Sequence, residues 1–355
     1  MMAKVLVTGG TGYIGSHTVV ELQKKGHEVV IVDNLSNSNI DVLNGIEKIT
    51  GVYPLFENID CVDYVGMDRM FEKHRDIDAI IHFAASKAVG ESVEKPLMYY
   101  RNNLVSLINL LQLMPVHGVK SFVFSSSCTV YGQPDVLPVT EKTPIKPAMS
   151  PYGNTKQISE EIIYDTIHAN PSYNGIILRY FNPIGAHPSA HIGELPIGTP
   201  NNLLPYITQT AMGLRSELKV FGDDYDTPDG SCIRDYINVV DLAKAHVVAL
   251  KRLLNIKSKQ QVEVYNIGTG KGLSVFEIIH TFEKVNNVKV PHTIVGRREG
   301  DIEQIWADAS RANEILKWKA AESVEDTLKS AWKWEKALKK QRQQKEKEEN
   351  EASSN

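Results

Sequence analysis

Val5-Leu6-Val7-Thr8-Gly9-Gly10-Thr11-Gly12-Tyr13-Ile14-Gly15 is the stretch on which the fold of this chain turns. A short apolar run breaks into a G-x-x-G-x-x-G spacing, and the residues that follow predict a helix from Tyr13 to Lys25. Gly9, Gly12 and Gly15 let the backbone approach a pyrophosphate. The helix start then offers unpaired N–H groups and roughly half a positive charge to that anion. The next apolar run, Val29 to Val32, ends at Asp33, eighteen residues past Gly15. A carboxylate at a strand tip accepts both hydroxyls of an adenosine ribose and repels a 2′-phosphate. Because no arginine stands beside Asp33, the sequence predicts NAD rather than NADP.

Outward from this unit, Ala79 to Phe83, Phe122 to Phe124 and Ile176 to Tyr180 repeat the short apolar texture, separated by polar segments of helix length. Runs without strict alternation mark strands buried on both faces, and their alternation with helices implies right-handed βαβ units. The expected fold is α/β, a Rossmann-type doubly wound parallel sheet with a smaller C-terminal substrate-binding domain. After Phe181 the chain turns to Pro, Gly and Asn, which places a boundary there: residues 1–181 bind the dinucleotide and 182–336 the substrate. A helical stretch from Tyr236 to Leu250 and a strand at Val264 to Ile267 suggest re-entry into the first domain around 235–268. Residues 337–355 are almost devoid of apolar side chains, which predicts a frayed helix leading into a disordered tail.

The 355 residues carry 39 basic and 43 acidic side chains for a formal charge of −4, without the basic excess that nucleic-acid binding needs. Cys61, Cys128 and Cys232 lie too far apart for a zinc spacing and are odd in number for a disulfide framework. Neither a signal-like apolar region nor a membrane-length apolar run occurs, so the expectation is a cytoplasmic protein with no membrane partner. His17, His82, His187 and His191 are scattered and read as structural, with no metal site.

Chemistry is most legible in Ser150-Pro151-Tyr152-Gly153-Asn154-Thr155-Lys156. Ser150 suits a helix N-cap and Pro151 the first turn, so Tyr152 and Lys156 share one helical face. A phenol acting as a base near neutrality needs its pKa lowered by roughly three units, about 4 kcal/mol. An ammonium at about 4 Å with an effective dielectric near 20 supplies that scale. Ser127, in the serine-rich end of the strand Phe122 to Phe124, is the expected third member, placed to relay a proton or hold a substrate oxygen against Tyr152.

Together these motifs resemble the extended short-chain dehydrogenase/reductase family, over about residues 4 to 335. Within it the resemblance is to members that interconvert UDP-glucose and UDP-galactose in galactose metabolism. Its specific marks are Val7-Thr8-Gly9-Gly10 through Ser16-His17, His82-Phe83-Ala84, Lys87-Ala88-Val89-Gly90-Glu91-Ser92, and Arg179-Tyr180-Phe181-Asn182-Pro183-Ile184-Gly185-Ala186-His187-Pro188. The resemblance implies tightly held NAD, a transient 4-keto sugar and net epimerisation at C4, with Tyr152, Lys156 and Ser127 at the family's catalytic positions. For the cofactor it points to Gly12, Tyr13, Ile14, Asp33, Asn34, Asp60, Phe83, Ala84, Lys87, Asn102 and Tyr180. Asp60 stands in Asn58-Ile59-Asp60-Cys61, one residue displaced from the family's Gly-Asp. For a UDP-hexose it points to Lys87, Phe181, Asn182, Asn202, Arg234, Arg298 and Asp301, two distant arginines gripping the diphosphate. The resemblance also implies that Ile305 takes the position beside the sugar's 2-substituent, where bulk would decide whether N-acetylated sugars enter.

The resemblance also implies a homodimer through helices at Pro96 to Met114 and Pro151 to Ala169, with Leu104, Leu107 and Leu111 on an apolar face. Two rivals share the fold. A sugar-nucleotide 4,6-dehydratase needs an Asp-Glu pair after the strand-end threonine, where this chain has Thr129-Val130-Tyr131. A non-catalytic NAD sensor is expected to have lost its triad, which is intact here.

Overall fold

Seven parallel strands form the central sheet of the computed structural model, which describes residues 2–255, 261–298 and 300–353. Six of them come first along the chain: β1 (Lys4–Thr8), β2 (Glu28–Asp33), β3 (Leu55–Asn58), β4 (Ala79–His82), β5 (Ser121–Ser127) and β6 (Asn174–Tyr180). The helices among them are α1 (Tyr13–Lys24), α2 (Val42–Thr50), α3 (Tyr64–Lys73), α4 (Val89–Glu94), α5 (Pro96–Val116) and α6 (Pro151–Ala169). Short strands β7 (Asn182–Ile184), β8 (Leu218–Phe221), β9 (Ile233–Arg234) and β10 (Tyr236–Asn238), with α7 (Leu203–Ala211) and α8 (Val239–Leu254), precede β11 (Val262–Ile267). β11 joins the central sheet beside β6, giving the order β11-β6-β5-β4-β1-β2-β3.

Successive side chains of these strands enter different cores, which is why the sequence shows unbroken apolar runs. Val5, Val7, Val29 and Ile31 pack with Leu43 of α2 and Leu242 of α8, while Leu6, Val30 and Val32 pack with Met67 of α3, Leu107 of α5 and Ile163 of α6. Each such side chain, fully buried, contributes about 1.5–3 kcal/mol. β3 escaped the sequence reading because Leu55-Phe56-Glu57-Asn58 lies at the sheet edge, half exposed and without an apolar run.

The smaller C-terminal domain has its own core of Leu204, Ile207, Val220, Ile279, Phe282, Leu328 and Trp332. It adds β12 (Leu273–Ser274), α9 (Val275–Asn286), β13 (His292–Val295), β14 (Gln304–Ile305) and α10 (Val324–Ser353). The helix expected from Tyr236 begins at Val239, because Tyr236 to Asn238 pair with β7 and the Asn238 side chain caps the helix by accepting from Val240 N–H. Where composition predicts a disordered tail, α10 runs on to Ser353. Lys, Gln and Glu are good helix formers, and Gln344 donates to Glu348 one turn on, so helix geometry is met locally.

Candidate active site

Between β1 and β4 the strand order reverses, and a parallel sheet opens a crevice at such a point. The glycine loop packs closely against Phe83-Ala84 at this point. Gly9 has φ +70°, and a Cβ there would lie 2.7 Å from the Ala84 nitrogen; at Gly15 it would lie 2.2 Å from the Gly9 carbonyl oxygen. Gly12 is the α1 N-cap and has no side-chain cap, leaving the helix start open to an anion. Asp33 closes the β2 end, its carboxylate accepting from the Thr11 and Leu35 N–H groups and from Ser38. Asp60 is brought beside Asn34, whose Nδ2 donates to it at 2.9 Å, so the one-residue displacement in sequence still delivers a carboxylate to this end of the crevice. The cradle, the open helix start and the strand-tip carboxylate fit a dinucleotide. Ile14 packs into the core beneath, and the Tyr13 hydroxyl donates to the Gly185 carbonyl at 2.6 Å, tying the loop to the strand β7 side.

α6 begins as the sequence predicts, with Pro151 in its first turn and Ser150 accepting from Gly153 N–H. Tyr152 and Lys156 are buried on the face turned to β5 and β6. Lys156 donates to the Ser125 carbonyl at 2.8 Å and lies 4.6 Å over the Phe124 ring and 6.0 Å from the Tyr152 ring centroid. Ser127, at the end of β5, accepts from Thr129 N–H, and its hydroxyl and that of Tyr180 face the Tyr152 phenol. The expected lowering of that phenol is not what the protein alone provides. Burial, then the neighbouring Tyr180, push Tyr152 well above its ordinary range, and Ser127 draws it only part of the way back. Burial also pushes Lys156 down to about 8, against the pull of Glu160 one turn along. Desolvation of a closed site outweighs one ammonium whose nearest acceptor is a carbonyl rather than the phenol.

Arg234 and Arg298 converge on Asp301: Arg298 Nη2 lies 2.6 Å and Arg234 Nη2 3.7 Å from its Oδ1. β14 pairs with β9, setting Ile305 opposite Arg234 and burying it beside Phe181 and Cys128. Asn182 opens β7 directly after Phe181. Lys87 and Asn202 approach one another through Glu194, whose Oε1 accepts from Asn202 Nδ2 at 2.5 Å and lies 3.8 Å from Lys87 Nζ. Glu194 was missed in sequence, and so was Asn103. Asn103 braces the loop after β4 by bonding both Ser86 backbone groups and Thr155 of α6, while among the described residues Asn102 reaches Ser86 Oγ and Asn103. Thr129 Oγ1 is buried without a partner next to Ser127. Motif spacing carries no signal for Glu194 or Asn103, since folding supplies their partners, Lys87 to the one and Ser86 and Thr155 to the other.

A profile described as GDP-mannose 4,6 dehydratase matches residues 6–331. The chain is 49% identical over 341 residues to the UDP-glucose 4-epimerase of Mus musculus, covering 94% of this chain and 97% of that protein. It is 50% identical over 332 residues to that of Yersinia enterocolitica, again covering 94% and 97%. The chain belongs to the UDP-glucose 4-epimerase family. Solved UDP-glucose 4-epimerases share the fold: that of Stenotrophomonas maltophila, with bound NAD and formylated UDP-arabinopyranose, superposes at a TM-score of 0.91 with 49% identity, covering 95% of this chain and 99% of that one. That of Bifidobacterium longum, in complex with NAD+ and UDP, gives 0.90 with 48% identity, covering 94% and 98%. The family is that of extended short-chain dehydrogenases/reductases, its members are NAD enzymes, and the Rossmann-type sheet is theirs.

Proposed function

We propose that this enzyme interconverts UDP-glucose and UDP-galactose by removing and restoring hydrogen at C4 of the hexose, as a step of galactose metabolism. The observation that carries the reading is the convergence of Ser127, Tyr152, Lys156 and Tyr180 at the carboxyl ends of β5 and β6, beside the dinucleotide crevice. Bound NAD supplies the hydride acceptor and donor and the positive charge of its oxidised ring. Tyr152 takes the proton of the 4-hydroxyl and returns it to the opposite epimer, with Ser127 holding the sugar oxygen and Lys156 keeping positive charge beneath the phenol. The 4-keto sugar turns its other face between the two proton transfers. Gly9, Gly12, Tyr13, Ile14 and Gly15 hold the cofactor diphosphate through backbone N–H groups; Asp33, Asn34 and Asp60 hold the adenosine end, and Phe83, Ala84, Lys87 and Asn102 the nicotinamide side. Arg234 and Arg298, gathered beside Asp301, take the substrate diphosphate with Asp301 as part of that site, and Asn182 and Asn202 orient the sugar and uridine.

C6 elimination lacks its acid–base pair here, since Val130 and Tyr131 follow Thr129, both buried, and the Tyr131 hydroxyl donates to Asn266 at 2.6 Å. We also read the protein as a cytoplasmic homodimer. All three cysteines are free and buried. Leu107 and Leu111 of α5 pack inside this chain rather than facing a partner, because they lie over β4 and β5; the face left for a second copy carries Leu97, Met98 and Ile108. Purified protein incubated with UDP-galactose and no added NAD is expected to form UDP-glucose. Tyr152→Phe should cut turnover at least about 100-fold while NAD stays bound. Unchanged turnover in that variant would reject the mechanism and favour a sensor or another base.

A further inference from the structure

Among the described residues no carboxylate is in salt-bridge contact with the Lys156 ammonium, yet one stands a helical turn away and is held by several bonds. Glu160 is buried on the same face of α6. Ser126 of β5 donates to its Oε1 at 2.6 Å, and Arg179 of β6 grips both oxygens, Nε to Oε1 at 3.0 Å and Nη2 to Oε2 at 2.5 Å. The remaining side of Arg179 donates to the Tyr131 hydroxyl at 3.1 Å, and Tyr131 ends the short turn that begins after Ser127. Tyr131 in turn donates to Asn266 of β11, whose Nδ2 holds the Val139 carbonyl. One buried pair therefore touches the helix of Tyr152 and Lys156, the strand and turn of Ser127, and the strand that ends in Tyr180.

We propose that Glu160, clamped by Arg179, is a positioning residue of the reaction centre that holds α6 against β5 and β6 and supplies the negative field keeping Lys156 charged during turnover. The groups around Lys156 explain why that field matters. From β4 it faces His82, and behind Ser125 stands His246 of α8, whose Nε2 reaches Ser125 Oγ at 3.3 Å. Burial pushes these rings down to about 3 and about 4, so both are neutral. On α6 it lies 6.0 Å from the Tyr152 ring, and the Tyr180 hydroxyl of β6 faces that phenol; burial raises both phenols, and the Cys128 thiol near them is raised to about 12. β5 contributes the Ser125 carbonyl and the Phe124 ring. Among the described residues Glu160 is thus the anion facing an ammonium that burial draws towards its neutral form, while Arg179, turned to Glu160 and Tyr131, fixes the carboxylate without reaching Lys156. The inference rests on the reading that Tyr152 and Lys156 perform the proton transfer.

The test is kcat and KM for UDP-galactose across neutral and alkaline pH, on holoenzyme as purified. Glu160→Gln keeps the shape and removes the charge; its alkaline limb in kcat should move down by about one pH unit, so that kcat on that limb falls about tenfold. KM should stay within twofold. Glu160→Asp, which keeps the charge, should restore the limb. An unpaired buried Arg179 threatens folding of the Gln variant, and Glu160→Gln combined with Arg179→Gln, which leaves no lone charge, then carries the same measurement. A limb at the wild-type pH in any folded variant lacking the carboxylate overturns the proposal, whereas full activity in Tyr152→Phe overturns the mechanism beneath it.

Discussion

Tyr152 sits in a place that disfavours the charge its chemistry requires, and so does Lys156. Burial raises the one and lowers the other, so each relies on what surrounds it at the moment of reaction. The residue types and their spacing of four were readable from the sequence because a helix turns the spacing into a shared face. Their electrostatic state was not, because desolvation depends on how β5, β6 and α8 close over them. Asp33 is the opposite case, since its strand-tip position and the role proposed for it follow from a local pattern. Asp33→Asn removes the charge that excludes a 2′-phosphate while leaving an acceptor for Thr11 and Leu35. NAD affinity is expected to fall about tenfold or more and NADP to gain relative to it, as read by titration of cofactor-stripped protein. A variant that still rejects NADP as strongly as the parent would show that another group sets the choice.

At the scale of elements, the glycine loop and the start of α1 act as one piece. A methyl group on Gly15 meets the Gly9 carbonyl oxygen at 2.2 Å, so Gly15→Ala must open the loop. Purified Gly15→Ala should carry little or no NAD, seen as loss of nicotinamide absorbance, and lose about 1–3 kcal/mol of stability. Gly90→Ala is the control: nothing lies within 4 Å of its added Cβ, it sits in α4, and it should be neutral or slightly stabilising. Retention of NAD by Gly15→Ala would mean the turn is not the cradle. The boundaries of α6 and the existence of β1, β2 and β4 to β6 were legible because apolar runs and a Ser-Pro cap declare themselves locally. β3, β10 and the continuation of α10 were not, as each depends on what lies alongside or on propensity without burial.

The whole molecule carries an acid liability built from its core. His17 and His82 are pushed down to about 3 and His246 to about 4, burial being the chief cause in each. Their folded values lie below the ordinary one, so the unfolded chain binds more protons once pH drops below about 6.5. The stability these neutral rings confer is complete above that pH and is lost as pH falls towards 3 to 4. Between pH 6.5 and 5 the loss is about 2 kcal/mol for each ring. Glu141, Glu194 and Asp235, raised by burial, work in the opposite sense and reduce the net fall. The urea midpoint should be lower at pH 5 than at pH 7. An unchanged midpoint would mean that the rings take up protons without unfolding.

What the sequence determined by itself was everything that short-range pattern encodes: the glycine turn, the acidic strand tip, the Tyr-Lys face, and the buried parallel strands that carry them. Periodicity and capping act over a few residues, so they can be read from a few residues. Tertiary structure alone decided which carboxylates answer which cations. Glu194 between Lys87 and Asn202, Asp301 between two arginines, and Glu160 under Arg179 join segments up to 107 and 67 residues apart in the first two cases. Only the closing of one strand against another brings such charges within reach and removes the water that would otherwise screen them.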